Sequence, residues 1–265
     1  MEMTLQPEIN DNVLETRIGE IFARRWSVPG DKAPVVLLHD SLGSVEQWRE
    51  FPALLAVKLG RSVVAYDRPG FGRSEVRVEI PGPDFIDLEA RVNLPVVLEA
   101  LKIERYILLG HSVGGAMAIA AAGIHPAYCL AVVTESAQSF VEERTLAGIR
   151  AAKQAFLAPG EFARIEKWHG KRAGWALSAW TEVWLSAEFR AWSLKPYFQS
   201  VMCPVLAIHG ENDEFGSEAF PCSIVGGVRG PGEMRLLENC GHVPHREHAR
   251  EVIEIIADFL GRRLE

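Results

Sequence analysis

The sequence predicts an α/β protein with a mostly parallel, doubly wound sheet, and three observations support this fold class. Short continuous apolar runs, such as 35–38, 63–66 and 106–109, are typical of strands that are buried on both faces. Helical segments separate these runs, so that strands and helices alternate along the chain. Apolar residues make up 48% of the 265 residues, which is enough for a large buried core.

The elements are expected in the following order. An antiparallel hairpin, formed by 15–18 and 20–26 around Gly19, opens the chain. Buried strands are predicted at 35–38, 63–66, 106–109, 130–133 and 205–208, with a last strand at 234–237. Helices are predicted at 47–59, 85–101 and 113–124, with a late start, kink or break at Pro52 and Pro95.

The closing segment is predicted to be an amphipathic helix. One stripe carries its apolar residues, which are Val252, Ile255, Ile256, Phe259 and Leu260. Gly261 follows this stripe and is a signal for the end of the helix.

The interval from 136 to 200 breaks the alternation, because it shows helical patterns without a buried strand. It contains five of the seven tryptophans: Trp168, Trp175, Trp180, Trp184 and Trp192. We predict that it is a helical lid, or cap, inserted into a core domain of residues 1–135 and 201–265 and covering the carboxyl ends of the strands. Trp180 and Trp184 are candidates for substrate binding, with packing against the body as the alternative.

The same interval carries nine Lys or Arg against six Glu, within a chain whose net charge is −7. We interpret this excess as a solvated helix surface, with a carboxylate-bearing substrate as the alternative. The acidic charge of the whole chain disfavours nucleic acid and anionic membranes as partners. Because neither a signal peptide nor a membrane-spanning run is recognisable, a soluble cytoplasmic protein is expected.

The four cysteines lie at positions 129, 203, 222 and 240, without the spacing of metal ligands. They are expected to be reduced and mostly buried. We predict neither a disulfide, nor a metal, nor a cofactor, and no pattern indicates the oligomeric state.

The pentapeptide Gly110-His111-Ser112-Val113-Gly114 is the strongest chemical signal in the chain. An apolar run precedes it at 106–109, and a helical segment of small residues follows it at 116–122. A nucleophile elbow requires this strand, turn and helix, because the serine adopts a strained backbone conformation and the flanking glycines leave room for it. The pattern predicts Ser112 as a nucleophile. The alternative is a tight turn that merely needs glycines.

A serine nucleophile needs a histidine to accept its proton and an acid to orient that histidine. We predict Asp213 as the acid, because it lies in the loop just after the strand at 205–208. Glu211 and Glu214 are neighbouring alternatives, and Glu135, after an earlier strand, is a more distant one.

His242 is the predicted base, since it follows a glycine after the last strand. His245 and His248 lie at the start of the closing helix and are expected to face solvent. The resulting chain order is Ser, Asp, His.

Two backbone N–H groups are expected to stabilise the oxyanion that forms when the serine attacks a carbonyl. The first belongs to Val113, at the start of the helix that follows the elbow. The second is expected in the loop after the strand at 35–38, where Ser41 is the candidate by position; its hydroxyl is read as that of a surface turn.

These motifs resemble those of the α/β-hydrolase superfamily over nearly the whole chain, and most of all its lidded bacterial esterases, cofactor-free perhydrolases and carbon–carbon bond hydrolases. The matching pieces are Leu37-Leu38-His39, Asp67-Arg68-Pro69-Gly70-Phe71-Gly72-Arg73-Ser74, the Ser112 pentapeptide, residues 210–213 and Gly241-His242-Val243-Pro244. The resemblance implies an α/β-hydrolase fold and a Ser-His-Asp triad.

Two positions depart from the family pattern. Asp40 replaces the glycine that usually follows the histidine of the oxyanion loop, and aspartate tolerates unusual backbone angles better than most residues. Leu42-Gly43-Ser44 stand where hydrolases of ring-cleavage products typically carry Gly-Pro-Gly, which weakens that assignment. A serine at the elbow also disfavours haloalkane dehalogenases and epoxide hydrolases, which use an aspartate nucleophile.

The sequence therefore predicts a metal-free serine hydrolase that acts on a small carboxylic ester or a related acyl compound. One alternative keeps the triad but cleaves a carbon–carbon bond in a keto-acid ring-cleavage product. Another is a hydrolase fold that serves as a small-molecule receptor with little turnover.

Overall fold

The computed structural model describes residues 6–264, whose strands form one eight-stranded sheet. The strands are β1 (Glu8–Thr16), β2 (Gly19–Ser27), β3 (Val35–Leu38), β4 (Val63–Tyr66), β5 (Tyr106–His111), β6 (Cys129–Glu135), β7 (Val205–Gly210) and β8 (Gly232–Leu237). Their order is β1-β2-β4-β3-β5-β6-β7-β8, and only the β1–β2 and β2–β4 pairs of this sheet are antiparallel. The predicted sheet and its N-terminal hairpin are confirmed.

The first strand begins earlier than the sequence pattern indicated. It pairs with β2 from Glu8 opposite Ser27 to Thr16 opposite Gly19, and the chain turns at 17–18. Most of its side chains are exposed, so that it lacks the apolar alternation by which a strand is recognised in a sequence. Backbone pairing with β2 and the ion pairs of Asp11 with Arg24 and Arg73 therefore hold the first half of this strand.

The central strands are apolar throughout because both faces of the sheet are covered. Val36 and Leu38 of β3 pack in a cluster with the helix that follows the elbow, whereas Val35 and Leu37 pack on the opposite face with the closing helix. Neighbouring residues of a strand point to opposite faces, so that each covered face requires its own apolar set.

The helices outside the 136–200 interval are α1 (Phe51–Leu59), α2 (Phe85–Leu88), α3 (Leu94–Ala100), α4 (Val113–Ile124), α9 (Ala219–Gly227), α10 (Pro244–Glu247) and α11 (Ala249–Leu264). The first four and α11 lie close to predicted helices, whereas α9 was not predicted and α10 was not expected to be separate from the closing helix. Helix α1 starts late, with Pro52 in its first turn. A π-helical stretch, Glu89–Asn93, precedes Pro95, which has no N–H to donate to the preceding turn.

The closing helix continues through Gly261, so the expected end at this residue was wrong. Gly261 does not have a positive φ, and therefore it is an ordinary helical residue rather than a cap. Ion pairs hold the last turn to the sheet: Arg262 Nη2 and Arg263 Nη2 lie 2.9 and 2.6 Å from the Glu233 carboxylate in β8.

The 136–200 segment runs from the end of β6 towards β7 and is helical. It contains α5 (Glu143–Ala155), α6 (Pro159–His169), α7 (Ala173–Leu185) and α8 (Lys195–Phe198). Trp184, Phe189 and Leu194 are buried in the same cluster as α4, so that part of the segment packs on the sheet. The interpretation of this segment as a separate lid domain stays a prediction.

The described residues contain no helix that combines the length and the apolar character needed to span a bilayer. Cys129, Cys203 and Cys240 are buried and Cys222 is exposed, all as free thiols.

Two glycine substitutions test the packing of the helices. In Gly114→Ala the new Cβ would lie 2.1 Å from the Leu38 carbonyl oxygen, which belongs to the backbone of a central strand. We expect this variant to lose about 1–3 kcal/mol of unfolding free energy, because neither backbone can yield without strain. Urea denaturation measures the loss.

Gly261→Ala is the matched control, because a Cβ at this helical position meets no atom within 4 Å. We expect it to gain about 0.5–1 kcal/mol, the usual difference between alanine and glycine inside a helix. A stabilised Gly114→Ala variant would contradict the close approach of α4 to β3.

Candidate active site

Three of the predicted site residues meet at the carboxyl ends of the strands. Ser112 follows β5, Asp213 follows β7 and His242 follows β8. His242 Nε2 lies 3.0 Å from Ser112 Oγ, and His242 Nδ1 lies 2.8 and 2.9 Å from the two Asp213 carboxylate oxygens. The structure therefore brings a hydroxyl, an imidazole and a carboxylate into one hydrogen-bonded row.

The strained turn at Ser112 is a property of its backbone. Ser112 has φ 55° and ψ −125°, and its N–H donates to the Glu135 carbonyl in the neighbouring strand at 2.8 Å. A Cβ at Gly110 would lie 2.2 Å from the Gly114 carbonyl oxygen, so that only glycine fits there. This turn presents the hydroxyl at the end of the strand, as the pentapeptide predicts.

The Asp213 side chain is buried and ionised. Burial opposes the charge, but the hydrogen bonds and charges of His242 and its other neighbours hold the pKa of Asp213 below its usual range. The Phe215 N–H also donates to this carboxylate at 2.7 Å. Because an ionised carboxylate only accepts, Nδ1 of His242 carries the proton and Nε2 is left to accept from Ser112.

The alternative acids lie elsewhere. Glu211 and Glu214 are exposed. Glu135 is fully buried, but its carboxylate accepts from His245 Nδ1 at 2.7 Å rather than from His242.

The expectation that His245 faces solvent was wrong, because its side chain is only 4% exposed. His245 lies in the short helix α10, which is separate from α11 and turns the ring towards Glu135 and the Trp48 ring, 4.5 Å away between centroids. Burial lowers the pKa of His245 despite its acidic partner. His248 is partly exposed and pairs with Glu251 at 3.2 Å.

The peptide bond between Asp40 and Ser41 is held in one orientation. Its carbonyl oxygen accepts from His39 Nδ1 at 2.8 Å and from Arg68 Nη2 at 2.7 Å. Burial lowers the pKa of His39 well below its usual range, and Nε2 of this neutral ring accepts from the Arg68 N–H. Since the carbonyl and N–H of a trans peptide point in opposite directions, the Ser41 N–H points away from Arg68.

The N–H groups of Ser41 and Val113 donate to no residue that the structure describes. Ser41 lines the same cavity as Ser112, and Val113 is the first residue of α4. Unpaired N–H groups at a helix start attract an anion. Both N–H groups are thus available for the predicted contact with an oxyanion.

Asp40 fits the loop without the conformational freedom of glycine, because its φ is not positive. One carboxylate oxygen accepts from the Leu42 N–H at 3.0 Å, and the other lies 3.3 Å from Nδ1 of His111. The departure from the family pattern therefore adds an acidic side chain between the loop and the elbow.

A cavity of about 340 Å³ opens beside Ser112 and His242. Its walls come from the sheet end and from the 136–200 segment, and they include Trp180 and Trp184. Trp180 packs 5.9 Å from the Phe215 ring, which in turn lies 4.9 Å from the His242 ring. Both tryptophans therefore line the cavity that Ser112 also lines.

Three of the basic side chains of the 136–200 segment pair with acids on its surface. Arg150 and Arg190 contact Glu143 at 2.6 and 3.7 Å, and Arg164, at the edge of the cavity, contacts Glu161 at 2.8 Å. These pairs favour the interpretation as a solvated surface.

Sequence reasoning missed Gln138. This side chain is 4% exposed and its Nε2 lies 3.2 Å from Ser112 Oγ, on the cavity wall. Its position three residues after β6 was the available signal, because that is the sheet edge where the other site residues lie. Among the described residues, no group of three His, Cys, Asp or Glu side chains is placed to hold a metal ion.

The chain is similar in sequence to known hydrolases. The chain is 26% identical over 251 residues to 2-hydroxymuconate semialdehyde hydrolase of Pseudomonas sp. strain CF600, covering 86% of each chain. It is 27% identical over 245 residues to mouse (Mus musculus) serine hydrolase BPHL, covering 85% of this chain and 78% of the relative.

Among solved structures, naproxen esterase from Bacillus subtilis superimposes with a TM-score of 0.71 at 17% identity, over 96% of this chain and 92% of the esterase. The family model described as alpha/beta hydrolase fold matches residues 33–216. The match spans more than half of the chain, and this protein therefore belongs to the α/β-hydrolase family and is an enzyme of that fold.

Proposed function

We propose that the protein is a serine hydrolase that acts on small carboxylic esters or related acyl compounds. The observation that carries this proposal is the row in which His242 Nε2 lies 3.0 Å from Ser112 Oγ and Nδ1 lies 2.8 Å from Asp213. A serine is activated when a base lies within hydrogen-bond reach of its hydroxyl and a buried acid orients that base.

Acylation begins when Ser112 Oγ attacks the acyl carbon and its proton passes to His242 Nε2. The carbonyl oxygen becomes an oxyanion, and the N–H groups of Val113 and Ser41 stabilise it. The bond from the acyl carbon to the leaving oxygen then breaks, and His242 Nε2–H protonates that oxygen. Asp213 stays ionised and stabilises the imidazolium that forms during both steps.

Deacylation repeats the same proton transfers with water. His242 removes a proton from a water molecule, whose oxygen attacks the acyl carbon of the acyl-enzyme. The bond to Ser112 Oγ breaks, the proton returns to Ser112 and the carboxylic acid leaves.

Cleavage of a carbon–carbon bond is the second candidate, favoured by the similarity to 2-hydroxymuconate semialdehyde hydrolase. It would use the same oxyanion hole. The absence of Gly-Pro-Gly after Ser41 favours the ester reaction. A rate panel of p-nitrophenyl esters of increasing chain length and of vinylogous keto acids separates the two, because a carbon–carbon hydrolase turns over simple esters only weakly.

Ser112→Ala is expected to lower kcat by roughly 10⁴-fold or more, since it removes the nucleophile and leaves the binding surface intact. It should unfold at the same urea concentration as the wild type. The measurements are ester hydrolysis and labelling by a fluorophosphonate probe, which reacts with an activated serine.

Ser223→Ala is the control, because Ser223 lies in α9 and does not line the cavity. It should keep full turnover and labelling. A wild-type chain that the probe leaves unlabelled would contradict an activated serine at position 112, and full turnover in Ser112→Ala would end the proposal.

Trp180→Ala tests the proposed role of the 136–200 segment as a substrate-binding lid. The shorter side chain enlarges the cavity, so the ratio of kcat/KM for a decanoyl ester over a butyryl ester should rise about tenfold or more. Trp192→Ala is the control, because Trp192 stacks on Phe189 at 5.2 Å and does not line the cavity. An equal change of the ratio in both variants would contradict a direct contact between Trp180 and the acyl chain of the substrate.

A further inference from the structure

We propose that His111, as an imidazolium, is a positioning residue that joins the loop carrying Ser41 to the loop carrying His242. The inference rests on the proposed function, because these loops matter to the chemistry only if both residues serve it. His111 Nε2 lies 2.8 Å from the His242 carbonyl oxygen, and Nδ1 lies 3.3 Å from the Asp40 carboxylate. One ring thus spans the loops after β3 and β8.

The two partners of the ring decide its protonation. A carbonyl oxygen and an ionised carboxylate can only accept, so each ring nitrogen must carry a proton for both contacts to be favourable. In a neutral ring that keeps its bond to His242, the Nδ1 lone pair would face the negative charge of Asp40. The geometry therefore favours the imidazolium.

The electrostatic environment acts in the same direction. Burial opposes the charge on each group, but their mutual contact raises the pKa of His111 and holds the pKa of Asp40 well below its usual range. Burial of the His111 side chain, which is only 2% exposed, strengthens the attraction, while the Asp40 side chain, at 26%, is partly screened by solvent.

Other titratable groups surround the ring. The His242 and His245 rings lie 5.1 and 4.9 Å away between centroids, and Glu135, which binds His245, adds a second negative charge. The positive charge of Arg246 acts on Asp40 from α10. The negative charges of Asp40 and Glu135 therefore favour the imidazolium of His111. They are opposed by the positive charge of Arg246, whereas His245 has a lowered pKa.

Asp40 connects the protonation state of His111 to the loop that carries Ser41. Its carboxylate accepts the Leu42 N–H at 3.0 Å, and its carbonyl is fixed by His39 and Arg68. When His111 loses the Nδ1 proton, ring and carboxylate repel each other and the turn around Ser41 is displaced. The bond from Nε2 to His242 survives, so that the loss falls on oxyanion stabilisation.

The direction of the pH dependence follows from the raised pKa of His111. The contact with Asp40 is complete below this pKa and is lost as the pH rises through it. Because an oxyanion forms only in the transition state, kcat should fall at alkaline pH while KM changes little.

Asp40→Asn is the test, because asparagine keeps the acceptor for the Leu42 N–H and removes the charge. Nitrogen-15 NMR of the full chain reports the protons on each imidazole, and His111→Gln identifies the signal by its loss. We expect a doubly protonated His111 at neutral pH in the wild type, with its pKa lowered by about one unit or more in Asp40→Asn.

Glu251→Gln is the matched control, because it removes the acidic partner of the partly exposed His248. It should leave the His111 signal and the kinetic profile unmoved. In the wild type, kcat for an ester should fall at alkaline pH. In Asp40→Asn this decline should disappear, because the amide that keeps its oxygen on the Leu42 N–H presents an N–H donor to the unprotonated Nδ1 of a neutral His111 ring.

A singly protonated His111 in the wild type at neutral pH would overturn the proposal, and so would an unchanged alkaline decline in Asp40→Asn. Because NMR does not depend on turnover, it tests the ion pair of His111 and Asp40 separately from the proposed hydrolase function. A wild type that shows the NMR result but hydrolyses no acyl substrate contradicts the proposed function, and with it the positioning role, while the ion pair itself stands.

Discussion

The positive φ of Ser112 is the constraint on which the arrangement of the site depends. Such a conformation costs a non-glycine residue of the order of 1–3 kcal/mol, and it persists only where the surroundings enforce it. Here the enforcement comes from the bond to the Glu135 carbonyl and from the close approach of Gly110 and Gly114 to neighbouring backbone. The same turn presents Oγ to the cavity and leaves the Val113 N–H free.

Three acid–histidine pairs surround this turn, and each acid lies at the carboxyl end of a different strand. Asp213 with His242 follows β7, Glu135 with His245 ends β6, and Asp40 with His111 follows β3. Charges buried at a sheet end need partners, because an unpaired carboxylate there would cost several kcal/mol. The pairs meet that need and also link the loops that carry Ser41, Asp213 and His242.

Much of the fold and of the site was predictable because the relevant signals are local. Apolar runs mark the strands, and residues just past strand ends gave Asp213 and His242 as partners of Ser112. The first half of β1 and the buried face of α10 carry no such signal, since pairing and tertiary contacts create them. Gln138 was missed because only the folded chain shows that its amide nitrogen lies 3.2 Å from Ser112 Oγ.

In the proposed reaction, catalysis and selectivity depend on different forces. Buried charge and oriented N–H groups at the strand ends would act on the charge that develops during attack. The 136–200 segment instead presents Trp180 and Trp184 to the cavity, and it pairs Arg150 and Arg164 with surface acids. An apolar wall selects by shape, at about 1–3 kcal/mol for each methylene that fits or fails to fit. If the proposed function holds, changes in this wall alter the preferred acyl group while the chemistry at Ser112 stays the same.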